Sequence, residues 1–158
     1  MSSTITPGAI PAGAWTAIAK GTGACDIASI PTGYKFLRLI LCTTATAPIL
    51  TFNADGGGNY FWAMDSAGTN SHAESQTGIA LTRAGVAFTP SLIDITILNL
   101  AAATNHLTGT ASCYQGGASQ NQDVKLCGSW TNAADEINRI TITGGTPVYW
   151  ALFGAALI

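Results

Sequence analysis

An all-β fold, an antiparallel β-sandwich of eight or more strands, is what this 158-residue sequence predicts. Three observations carry that reading. Short β-type runs recur roughly every ten residues, the spacing of a sandwich or barrel. Gly, Pro, Asn and Asp clusters separate the runs. Only Ala101–Asn105 and Ala133–Asn138 could hold a helical turn, and neither is long enough to stand as a helix.

The expected strands begin with Ala14–Lys20, Ala24–Ile30 and Tyr34–Thr43. Ile49–Asn53 and Tyr60–Asp65 flank a glycine-rich break, and Thr77–Thr82, Leu92–Leu100 and Gly109–Gln115 follow. Val124–Trp130, Ile137–Thr143 and Val148–Phe153 close the series. Ile93, Ile95 and Ile97 alternate with Asp94 and Thr96, and Ile140 and Ile142 alternate with Arg139, Thr141 and Thr143. These period-two sets, joined by Phe36 and Ile40, form the expected core. Tyr34–Thr43 and Val148–Phe153 are apolar on both faces. One sandwich core covers one face only, so both strands point to a contact with a second subunit.

Chain length allows a single domain whose folding buries roughly 68–70% of its unfolded surface. The chain divides into an extended N-terminal arm, residues 1–13, and a sandwich domain, residues 14–158. Pro7, Gly8, Pro11 and Gly13 deny the arm a helix or a central strand, so it is expected to lie against another chain. Charged residues make up 9% of the sequence and the net charge is −2. With hydrophobic residues at 47%, that balance argues against disorder. The six Lys and Arg are scattered, which argues against a nucleic-acid partner. No apolar run reaches the roughly 18 residues of a membrane span, and the N-terminus lacks the basic start of a secretory signal. An uncharged polar surface suits a protein held in an assembly.

The chemical motifs are sparse. Cys25, Cys42, Cys113 and Cys127 show no zinc-ligand spacing and are expected as buried free thiols, with a Cys113–Cys127 disulfide as the alternative. His72 is read in a polar loop beside Glu74, His106 at a turn, and Asp135-Glu136 as solvated. No nucleophile elbow, phosphate loop or metalloprotease motif is present, so no catalytic residue, cofactor or metal is expected. The loop Asn53-Ala-Asp55-Gly-Gly-Gly-Asn59-Tyr60 has the spacing of a ligand loop. Its oxygens could wrap a cation, although a tight structural turn uses the same residues. Trp62 beside it could stack on a sugar or anchor a core.

The segment Phe52-Asn53-Ala-Asp55-Gly-Gly-Gly-Asn59-Tyr60 resembles an F-N-x-D-x-G-x-N-Y stretch of small virion proteins of tailed bacteriophages. Trp130, Ile137-Asn-Arg-Ile140-Thr-Ile142 and Leu152-Phe153-Gly154 resemble the ending of those proteins, so the likeness spans residues 34–154. The resemblance implies a jelly-roll-like sandwich, commonly trimeric, placed on a capsid, tail or fibre. A capsid decoration (cement) protein is therefore expected, with itself and the major capsid protein as partners. It would be located in the virion and assembled in the host cytoplasm, with no enzymatic role. The alternative is a carbohydrate- or receptor-binding module of a tail tip or fibre. That module would present Asn53, Asp55, Asn59, Tyr60 and Trp62.

Overall fold

A computed structural model describes residues 14–44, 48–66, 68–82, 88–115, 120–131, 134–144 and 147–156. The arm expected over residues 1–13 lies outside the described residues. The described residues form twelve strands in chain order, and none is helical. They are β1 (Thr16–Gly21), β2 (Cys25–Ile27), β3 (Phe36–Thr43), β4 (Ile49–Phe52), β5 (Tyr60–Ser66) and β6 (Thr69–Gln76). Then come β7 (Ile79–Ala80), β8 (Phe88–Leu98), β9 (Asn105–Gln115), β10 (Gln120–Trp130), β11 (Ile140–Thr143) and β12 (Pro147–Ala155).

Two antiparallel sheets pack as a sandwich. The larger runs β1-β12-β3-β8-β9-β10-β5-β6 and the smaller β2-β11-β4-β7. Four pairings nest within one another along the chain: β1 with β12, β2 with β11, β3 with β8 and β4 with β7. Such nesting is a hairpin rolled up on itself, the jelly roll. Its sheets are β1-β12-β3-β8 and β2-β11-β4-β7. The remaining strands are two hairpins, β5–β6 and β9–β10, inserted between roll strands. They join edge to edge through β10 and β5 and lengthen one sheet by four strands beyond β8.

Alternation places the core. Leu37, Leu39 and Leu41 of β3 and Ile93, Ile95 and Ile97 of β8 are fully buried, as are Leu50 of β4 and Ile140 of β11. Burying each such side chain contributes roughly 1.5–3 kcal/mol. Gly154 faces inward from β12, where an added Cβ would lie 2.4 Å from the Tyr34 ring, so the ring packs flush against bare backbone. The inner face of the inserted strands carries Leu107, Val124, Leu126 and Met64, which belong to the same buried cluster as Ile79 and Phe52.

Several expectations are corrected. Phe36 and Ile40 are half-buried on the outer face of β3, because they share the parity of Arg38, whose guanidinium keeps that face out of the core. Thr69–Gln76, read as a loop around His72, is the edge strand β6. It lacked any apolar alternation because both of its faces are largely exposed, and polar side chains blunt an open sheet edge. His106 lies within β9 rather than at a turn. Glu136 is not solvated: it pairs with Lys35 and accepts the Gly33 amide hydrogen at 3.2 Å. The Lys35 contact, ahead of the burial that opposes it, holds the Glu136 carboxyl below its ordinary range.

Candidate interaction surfaces

The Asn53–Trp62 segment comes together at one end of the sandwich. Phe52 and Asp55 close a tight turn through the Asp55 amide and the Phe52 carbonyl, 2.8 Å apart. Asn53 and Ala54 between them both have positive φ, 50° and 56°, the signature of a type I′ turn. Asn tolerates that region and Ala does not. Ala54→Gly should therefore raise stability by about 0.5–1 kcal/mol, read as a higher urea midpoint at unchanged slope.

The side chains of this segment turn inward on the protein. Asn53 Oδ1 accepts the amides of Asn138 and Arg139 at 2.8 and 3.0 Å, and its Nδ2 donates to the Glu136 carbonyl. Asp55 Oδ2 accepts the Trp130 indole N–H at 2.7 Å and the Asn59 amide at 3.0 Å, while Oδ1 accepts the Gly57 N–H at 2.8 Å. The buried Tyr60 hydroxyl accepts the Phe52 N–H and lies 3.1 Å from the Asp55 carbonyl, to which it donates. Burial pushes the Tyr60 phenol up to about 12, the largest cause, with a Phe52 backbone bond opposing it. Its ring, Phe52 and Trp130 form an aromatic cluster with centroids 5.6–6.4 Å apart. Trp62 packs half-buried against the core.

The outer face of the eight-stranded sheet is legible only from the registers. One row crosses seven strands: Phe153, Arg38, Thr96, Thr108, Cys127, Ala63 and His72. The next reads Ala151, Ile40, Asp94, Thr110, Lys125, Asp65 and Asn70. In both rows the large apolar side chains, Phe153 and Ile40, sit on the roll strands β12 and β3, and none sits on the inserted hairpins. On β12, β3 and β8 the exposed Leu92 faces Cys42 and, beyond it, Tyr149, while Ile40, Phe153 and Phe36 lie farther along β3 and β12, on either side of Arg38. The one charged pair there is closed on itself: Arg38 donates Nε and Nη2 to Asp94 at 2.9 and 2.5 Å. Those bonds hold the Asp94 carboxyl below its ordinary range, outweighing its partial burial. Trp15, just before β1, lines a recess with this pair and is 44% exposed.

Over β9, β10, β5 and β6 the same face carries small and polar side chains around an open, shallow and largely apolar depression. Two adjoining recesses of about 550 and 510 Å³ share Ala63, His72 and Cys127 and form one trough along β10. Both histidines of the chain lie in its lining. No local motif announces the trough, because it arises from strand order.

The cysteines divide differently from the expectation. Cys25 is buried, Cys42 half-buried and Cys127 exposed, all free. Cys127 alternates with the buried Leu126 and so points outward. A Cys113–Cys127 disulfide is excluded by register: Cys127 opposes Thr108, five residues along β9 from Cys113. Five residues of strand span roughly 17 Å, far beyond a disulfide's reach. Burial, followed by the charge of Asp26, pushes the Cys25 thiol up to about 12. N-ethylmaleimide should therefore modify Cys127 in the native protein at least about tenfold faster than Cys25, read by peptide mass spectrometry. Among the described residues no cluster of His, Cys, Asp or Glu could hold a metal ion.

No protein-family model, curated protein or solved structure matches this chain.

Proposed function

We propose that this chain is a structural protein of a tailed-bacteriophage virion, a capsid decoration protein that assembles as a homotrimer and braces the shell. The observation that supports it best is the apolar outer face of β12, β3 and β8, whose only charges neutralise each other. Monomeric proteins rarely leave such a face in water. A jelly roll is shared by capsid and lectin domains, so the fold alone does not choose between them. The low charge of the chain and the resemblance over residues 34–154 favour the virion reading. Its mechanism is passive: each copy adds buried apolar area to its neighbours and to the major capsid protein, stabilising the assembled state by mass action.

Leu92→Lys tests the surface. Its side chain already lies in solvent, so the circular dichroism spectrum should be unchanged while a trimer in sedimentation velocity becomes a monomer. Quantitative mass spectrometry of purified particles tests the role, with hundreds of copies expected against the major shell protein. A wild-type chain that sediments as a monomer and is absent from particles would sink the proposal.

A further inference from the structure

The jelly roll is complete without β5, β6, β9 and β10, since its four nested pairings use the other eight strands. Yet both recesses of the trough are built on the inserted hairpins. We propose that this trough is a binding site for a neutral oligosaccharide. The inference does not rest on a virion role, and it moves sugar recognition from the Asn53–Tyr60 turn to the outer sheet face, where Trp62 lines one of the two recesses.

The lining selects the ligand class. The floor is made of small side chains: Ala63 and Cys127 lie beside each other in the row through Thr108, leaving depth above the sheet. A sugar ring presents C–H groups that such a floor can cover. The rim is a set of hydroxyl, amide and imidazole groups: Thr108 and Thr110 from β9, Asn70 and His72 from β6. These pair with hydroxyls, which both donate and accept. Charge argues against polyanions. Lys125 is the register partner of Asp65 in one recess and Glu74 lines the other, so the trough offers no net positive field to a nucleic acid or acidic polysaccharide. Its two recesses share three residues and follow β10 from Lys125 to Ser129, roughly 14 Å of strand, so the site fits several sugar units rather than one. Pockets of 300–1,000 Å³ are the ordinary range for small-ligand sites.

The experiment uses the full chain. A printed array of neutral linear and branched oligosaccharides identifies the best binder, which is then titrated by calorimetry. Saturating amounts of that glycan should slow N-ethylmaleimide modification of Cys127 at least about fivefold and leave Cys42 unaffected. Wild-type protein alkylated at Cys127 should bind at least about tenfold more weakly, a readout that carries no folding risk. Ala63→Trp should do the same by filling the floor, and Leu92→Lys, on the roll strand β8, should bind with unchanged affinity. The proposal is overturned if no neutral glycan binds at millimolar concentration or if only anionic glycans bind. It also fails if binding survives both Cys127 alkylation and Ala63→Trp.

Discussion

Asn99→Ala should lower the stability of the sandwich by about 3–5 kcal/mol, with a fall in the melting temperature on the order of 10 °C. Asn99 is fully buried at the end of β8. Its Nδ2 donates to the Tyr34 carbonyl at 3.0 Å, its Oδ1 accepts the Ile137 N–H at 2.6 Å, and its own N–H donates to the Lys35 carbonyl at 2.8 Å. One side chain thus ties the segment entering β3 to the segment entering β11, in opposite sheets. Truncation would strand a buried carbonyl and a buried amide, each costing roughly 1–3 kcal/mol. Asn99→Asp should fare little better, because a carboxylate accepts from Ile137 but cannot donate to Tyr34. Asn70→Ala, on the exposed edge strand β6, serves as the control and should stay within about 0.5 kcal/mol. A loss below about 1 kcal/mol for Asn99→Ala would show that water replaces the amide and that the tie is not structural.

The all-β class and most strand positions were readable because turn residues and period-two alternation are local signals. Ile93, Ile95, Ile97, Ile140 and Ile142 fell on the core face for that reason. Parity failed where both faces were apolar. In β3, Leu37, Leu39 and Leu41 face the core and Phe36, Ile40 and Cys42 do not, and Arg38 was the residue that separated the two sets. β6 was invisible because an edge strand exposed on both faces needs no apolar side chain. The nested pairings and the trough on the large sheet depend on which distant strands adjoin. Gln120–Trp130 meets Tyr60–Ser66 across a long stretch of sequence, and nothing in either segment announces it.

Asp55→Ala should destabilise the domain by about 2–4 kcal/mol, and the loss should be the same with Ca²⁺ or with chelator present. The Trp130 indole is 2% exposed and donates to Asp55 Oδ2, so removing the carboxylate leaves a buried N–H without that acceptor. The same substitution frees the Asn59 amide and the Gly57 N–H, which hold the glycine-rich loop in its turn. Asp55→Asn keeps one acceptor oxygen but presents an amide donor where donors already converge, so it should recover no more than about half of the loss. Trp130→Phe combined with Asp55→Ala closes a double-mutant cycle, and a coupling of about 1–2 kcal/mol is expected because the two side chains share one charge-assisted bond. Trp130 fluorescence reports the same contact spectroscopically. A loop that instead held a cation would show a melting temperature raised by millimolar Ca²⁺ in the wild type and not in Asp55→Asn. The observed geometry predicts no such rise, since Asp55 already places both oxygens on protein donors.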